Sequence, residues 1–267
     1  MTEQGLTAES IDTSRPHPAR MYDYYLGGQD NYEVDRAAAE QLMAATPDVR
    51  RSARANRAFL QRVVGDVVRS GVRQILDVGT GIPTSPNTHE AAHAVDPATR
   101  VVYVDNDPIV SVYAGAKLTA TPGTGFLLAD LRDPAAIVGS DALNGLIDFD
   151  EPVAVLLVSV LHFVDDAEDP KGLLRALTDR LAPGSRLVIS HATADFHPRE
   201  VGERGAEVYS RATANLRLRS RGEVVELFEG FELEEPGVVQ VSHWRPEREP
   251  DEDDGRVAVY GGLAVKR

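Results

Sequence analysis

The stretch QILDVGTGIPTSPNTHE, residues 74–90, decides the fold. Ile75, Leu76 and Val78 form a short apolar run that reads as a buried strand. The run breaks at Gly79, Thr80 and Gly81, Pro83 and Pro86 follow, and Asn87 or Thr88 can cap a new helix. Strand, glycine turn and helix is how a parallel α/β sheet offers backbone to a nucleotide-like ligand, and Asp77 places an acid just before the turn.

Toward the C-terminus the alternation continues. Strands are expected at 73–78, 100–105, 125–130, 152–161 and 185–192, with helices between them near 87–95, 107–119, 133–142 and 168–181. The run PVAVLLVSVL (152–161) has almost no polar position and suits a central strand covered on both faces. The pattern implies a parallel sheet with right-handed crossovers. Residues 198–216 read as a polar helical insertion or lid, and 220–228 as a further helix. VVQVSHW (238–244) and RVAVYGGLAV (256–265) are expected to pair as an antiparallel hairpin at the sheet edge. The acidic loop between them, PEREPDEDDG, reads as a solvated, mobile tip.

Toward the N-terminus, residues 1–18 read as a flexible arm and 19–72 as a helical cap on the 73–267 core. The first cap helix spans 19–26 and stops at Gly27-Gly28; the second is capped by Asp30 or Asn31 and runs to about Ala45; the third starts from Asp48.

Composition narrows the class. With 267 residues and 42% hydrophobic content the chain can bury a real core, as one large domain or a domain with an appendage. A net charge of −14 gives no global attraction to nucleic acid or an anionic membrane, so neither partner is expected. Arg50, Arg51, Arg54, Arg57 and Arg62 fall largely on one helix face, which reads as a solvated face before it reads as a nucleic-acid patch. There is no apolar run of about 18 residues, and the polar start lacks a secretory pattern. Together with the absence of cysteine, this makes a cytoplasmic protein the expectation.

One motif competes. His89-Glu90-Ala91-Ala92-His93 fits the H-E-x-x-H zinc pattern. The helix carrying it is short, follows a turn the zinc reading leaves unexplained, and has no third ligand close behind. His89 and Glu90 are more simply first-turn residues near the ligand pocket, and no metal is expected.

Five parallel strands followed by an antiparallel hairpin describe the Rossmann-like fold of class I S-adenosylmethionine-dependent methyltransferases, with a seven-stranded, mostly parallel sheet. The chain resembles an actinobacterial S-adenosyl methyltransferase family, formerly a domain of unknown function, through RMYDYYLGGQDNY (20–32), DVGTGIPTSPNTHE (77–90), YVDNDP (103–108) and LLADLRDP (127–134). The resemblance implies S-adenosyl-L-methionine as cofactor, leaves the acceptor open, and assigns roles by position. The turn Asp77-Val78-Gly79-Thr80-Gly81 matches the first cofactor motif, with Asp77 on the methionine amino group. Asp105, beside Asn106, would hold the ribose hydroxyls. Asp130 would face the adenine amine while Leu131 packs on the ring or donates its backbone. Ser159 and His162 end the fourth strand, nearest the methyl, and His162 could be a general base. Arg20 or Tyr22 would reach the methionine carboxylate, with Tyr22 and Tyr25 on a lid hinged at Gly27-Gly28. The third glycine of the general first cofactor motif is Pro83 here. Without an N–H it suits a pyrophosphate poorly, and a phosphate-free ligand loses less.

The leading expectation is thus a methyltransferase acting on a small-molecule acceptor, with a homodimer allowed. A cofactor-binding sensor without transferase activity is the alternative. A nicotinamide oxidoreductase fits the glycine turn and Asp105, but Pro83 and the lack of a Tyr-x-x-x-Lys pair after the fifth strand count against it.

Overall fold

A computed structural model describes residues 12–267. Of the arm expected at 1–18, residues 1–11 lie outside the described residues. The chain opens with three helices, α1 (Pro18–Leu26), α2 (Glu33–Ala45) and α3 (Val49–Arg69). The sheet then begins: β1 (Gln74–Val78), α4 (Thr88–His93), β2 (Arg100–Asp105), α5 (Pro108–Lys117), β3 (Thr124–Leu128), α6 (Pro134–Val138), α7 (Asp141–Asn144) and β4 (Ala154–Val158). It closes with α8 (Pro170–Thr178), β5 (Arg186–Ala192), α9 (Arg199–Tyr209), α10 (Arg221–Glu226), β6 (Glu232–Leu233), β7 (Val239–Gln240) and β8 (Val259–Val265). No helix among the described residues is long and apolar enough to cross a membrane.

The sheet has eight strands in the order β3-β2-β1-β4-β5-β8-β6, with β7 also on β8. The first five pair in parallel and β8 runs antiparallel to β5. The order reverses between β1 and β4, which opens a crevice beyond their carboxyl ends. Side chains alternate across the sheet. Leu76, Val102, Val155 and Leu187 join Ile137, Leu143, Leu174 and Val224 from α6, α7, α8 and α10 on one face. Ile75, Tyr103, Leu156 and Val188 join Phe59, Val63, Val64 and Val67 of α3, with Ala114 of α5, on the other. A third apolar cluster, including Met21, Tyr25, Leu42 and Tyr209, ties α1 and α2 to α9.

Local chemistry sets the helix starts. Asp107, Asp133 and Asp169 each precede a proline, and their carboxylates accept the N–H of Ile109, Ala136 and Gly172. The proline needs no partner at the first helical position.

Several expected bounds move. The α2 cap is Tyr32, whose N–H goes to Asp35 at 2.9 Å, and neither Asp30 nor Asn31 serves. Those two bind Asp23 instead, Asp30 through its backbone N–H and Asn31 through its amide. β4 ends at Val158 because Ser159 turns left-handed (φ 59°) into a 3-10 turn over Leu161–Phe163. The helix expected at 133–142 is two short ones, α6 and α7. The edge hairpin is only partly formed. Its outer strand is split into β6 and β7 around Pro236, which has no N–H for the ladder, and this gives eight strands where seven were expected. Trp244 leaves the edge and packs edge-on against Phe59 at 5.2 Å. The acidic tip folds into a 3-10 turn (Glu252–Arg256) and Asp253 pairs with Arg51 at 2.8 Å.

Candidate active site

The crevice at the carboxyl ends of β1, β2 and β4 opens into a cavity of about 300 Å³. Tyr22, Tyr25, Asp77, Gly79, Thr80, Gly81, Asp105, Asn106, Asp130, Leu131, Ser159 and His162 all line it. The glycine turn rests on β2, where Val104 carbonyl accepts the N–H of Gly79 and Thr80 at 2.8 and 3.2 Å. Gly79 sits at φ 76°, and a Cβ there would stand 2.5 Å from Val160 Cγ2, so the position needs glycine both for conformation and for close approach. α4 begins only at Thr88, so no helix N-terminus directly follows the turn.

Asp105 is the centre of this end. One carboxylate oxygen accepts Gly81 N–H at 2.7 Å and the other accepts Asp107 N–H at 2.9 Å. Burial, opposed by these donors, pushes its pKa up to about 6. Each oxygen keeps a further lone pair, so the group can still receive a pair of hydroxyls. Asp77 accepts from Thr88 Oγ1 at 2.6 Å, and burial raises its pKa too. Asp130 accepts Arg132 N–H and the Asn106 amide, both at 2.8 Å. Three carboxylates on one wall suit a ligand that carries positive charge, hydroxyls and an amine, and oppose a polyanion.

Arg57 belongs to the stripe expected to be solvated. In the fold it lines the cavity, clamps the carbonyl oxygens of Thr84 and Pro86, and keeps a buried Nε without a partner among the described residues. An orphaned guanidinium N–H beside the acids fits an amino-acid carboxylate. Helical spacing places Arg57 on a face but gives no sign of what that face will meet.

Arg20, Pro83 and His89 do not line the cavity. Arg20 is buried between Asp35 (3.6 Å) and Asp107 (3.5 Å), away from the cavity, with its Nε and Nη1 at ion-pair distance but without hydrogen-bond geometry. His89 is held under the sheet: Tyr103 OH accepts its backbone N–H and donates to its Nδ1, each at 2.7 Å. His93 Nε2 faces Thr99 carbonyl at 2.8 Å, so the HEAAH rings serve local packing, and no metal-holding cluster occurs among the described residues. The Gly27-Gly28 turn has a structural cause as well. The Asp23 carboxylate occupies the place of a Gly28 Cβ, 1.9 Å away, which leaves the hinge reading without its sequence support.

A polar chain borders the cavity. Ser159 N–H donates to Ser190 Oγ (2.9 Å), Ser190 Oγ to Asn56 Oδ1 (2.6 Å), Asn56 Nδ2 to Tyr22 OH (2.9 Å), and Tyr22 OH to Ala53 carbonyl (3.0 Å). His162 Nδ1 accepts Ala192 N–H at 3.2 Å, so the neutral ring carries its proton on Nε2. Burial, with His191 and Arg219 nearby, holds its pKa well below the usual histidine range. In this arrangement the ring donates and has no free nitrogen with which to act as a base.

The far end of the cavity is mostly apolar, with Thr46 beside Gly205 as a polar exception. Leu42 and Val49 from the cap, Val201 and Gly205 from α9, and Leu216 and Leu218 after it form its walls. Tyr209 and His197 complete it. The sequence names none of these as site residues, although it reads 198–216 as a polar helical insertion or lid.

The family profile described as S-adenosyl methyltransferase matches residues 4–267. A DUF574 family protein from Streptomyces avermitilis is 43% identical, with a TM-score of 0.92 over 96% of this chain and 100% of that one. A proposed methyltransferase from Thermobifida fusca is 37% identical, with a TM-score of 0.90 over 96% of this chain and 97% of that one. Human N-acetylserotonin methyltransferase, solved in complex with its methyl donor, shares the fold at 14% identity, with a TM-score of 0.51 over 97% of this chain and 65% of that one. No curated protein matches the chain.

Proposed function

Because the chain belongs to the S-adenosyl methyltransferase family, its reaction takes a methyl group from S-adenosyl-L-methionine, and we propose that the acceptor is a small, largely apolar molecule. The cavity supports this reading, since about 300 Å³ behind a cap suits a small acceptor better than a polymer. The cofactor supplies an electrophilic methyl on a sulfonium. The chain's task is alignment and exclusion of water.

In this reading Asp105 receives the ribose hydroxyls, Asp130 the adenine amine with Leu131 against the ring, and Asp77 the methionine ammonium. The orphaned Nε of Arg57 takes the carboxylate, the role that the sequence pointed to in Arg20 or Tyr22. Tyr22 and Tyr25 roof the site from α1, and the cap with α9 closes the acceptor end. His162, with Nε2 protonated, donates a hydrogen bond near the fourth strand's end and leaves base chemistry to another group.

The observation that carries the cofactor assignment is Asp105, a buried acid on the cavity wall behind a glycine turn with no helix N-terminus at it. Calorimetry tests it. The wild type should bind S-adenosylmethionine and not a nicotinamide dinucleotide. Asp105→Ala should weaken binding by about 2 to 3 kcal/mol, the cost of losing charge-assisted hydrogen bonds. Unchanged affinity would remove Asp105 from the ribose.

A further inference from the structure

His197 stands in the wall of the apolar end, on the loop between β5 and α9. Its side chain is 11% exposed, and neither ring nitrogen has a hydrogen-bond partner among the described residues. Leaving a buried polar group unpaired is costly, so such a ring in a cavity wall calls for a ligand. Asp48 Oδ2 lies 3.5 Å from Nε2, at ion-pair distance without hydrogen-bond geometry. That carboxylate is itself flanked by Arg256 Nε at 3.5 Å and Arg51 Nε at 3.8 Å, and Arg51 also pairs with Asp253. Nε2 is turned to the carboxylate, and Nδ1 is left without any group assigned to it.

The acceptor end has a consistent chemistry. The arginines that line the cavity, Arg57 and Arg132, belong to the cofactor end, so an anionic acceptor would find no cation here. Tyr25 OH is also buried without a partner meeting hydrogen-bond geometry, although Tyr209 stands beside it. Apolar walls and an unpaired imidazole describe a pocket for a neutral, apolar molecule with one hydroxyl to be met.

Resting on the methyltransferase reading, the geometry points to His197 as the general base of an O-methylation, with Asp48 orienting its ring and an apolar phenol as acceptor class. Nδ1 removes the phenolic proton as the oxygen lone pair forms the new C–O bond. The C–S bond breaks with its electrons going to sulfur, which becomes a neutral thioether. Asp48 stabilises the imidazolium until the proton passes to solvent. His162 cannot serve here, because its Nδ1 already accepts Ala192 N–H.

The test uses the full chain with 1-naphthol as probe. Fluorescence should show 1-naphthol binding to the complex with S-adenosylhomocysteine, and turnover with S-adenosylmethionine should yield 1-methoxynaphthalene. His197→Gln and His197→Asn should lower kcat by about 100-fold or more, the range for loss of a general base, while calorimetric cofactor affinity stays within about threefold. Asp48→Asn should lower kcat by about tenfold. Retained cofactor affinity in either His197 variant certifies folding. A protein that binds S-adenosylmethionine but neither binds nor methylates 1-naphthol overturns the acceptor class. A His197→Gln rate within about threefold of wild type overturns the base. A wild type that fails to bind S-adenosylmethionine overturns the underlying cofactor reading, and this one with it.

Discussion

At the scale of single residues, the histidines beside the site are fixed by their partners. Arg219 Nη1 donates to His191 Nε2 at 2.9 Å, so His191 carries its proton on Nδ1 and gives it to Ala192 carbonyl at 2.7 Å. Burial, with Arg219 adjacent, holds its pKa down at about 4, against 6.5 in an open chain. Between those values the unfolded chain binds more protons, so stability falls as pH drops from 6.5 toward 4. His191→Gln, which keeps an acceptor for Arg219, should therefore lose about 2 kcal/mol less than wild type between pH 7 and pH 5, read by urea unfolding. Asp105 adds a binding dependence. Its raised pKa of about 6 means that protonation competes with ribose hydroxyls, so cofactor affinity should fall by up to about tenfold per pH unit below that value. Calorimetry across pH 5 to 7 checks it, and Asp105→Asn should flatten the profile. Residues such as Asp77, Asp105 and Asp130 were legible in the sequence because strand ends announce them. Arg57 and His197 were not, since their meaning depends on which distant element each one faces.

At the scale of elements, the glycine turn separates two kinds of glycine. A Cβ added at Gly81 (φ 69°) would meet nothing within 4 Å, whereas one at Gly79 would be driven into Val160. Gly81→Ala should cost about 1 to 2 kcal/mol for the left-handed backbone, and Gly79→Ala a further 1 to 3 kcal/mol for the overlap. Urea unfolding of both variants measures the difference; equal losses would mean that Val160 yields freely. The segment after β4 is stapled by Arg219, which donates to the carbonyls of Leu161 and Val164 and to Asp166. Arg219→Met should cost about 2 to 4 kcal/mol, because it strands buried carbonyls. Strand order and the helices begun by Asp-Pro were readable from periodicity and capping. The edge strand was not, since Val238–Trp244 alternates like a strand while Pro236 and the burial of Trp244 break its ladder.

At the scale of the whole molecule, the cap is joined to the core by buried charge. Arg20 sits between Asp35 and Asp107, His17 N–H donates to Asp35 at 2.9 Å, and His17 Nδ1 lies 3.1 Å from Asp107. Removing one partner of a buried pair leaves the other unpaired, so Arg20→Met should lower global stability by about 3 to 5 kcal/mol and speed amide exchange in α1 first. Exchange detected by mass spectrometry would show it, and uniform change along the chain would argue against a separable cap. The same helix has a consequence for traffic. α1 and the residue before it contribute His17 and Ala19 beside the acid end and Tyr25 beside the apolar end, so a single cover spans both guests of one cavity. Two visitors under one roof cannot come and go independently. Exchange of the two should be coupled, so that bound S-adenosylhomocysteine slows loss of the acceptor and bound acceptor slows loss of S-adenosylhomocysteine.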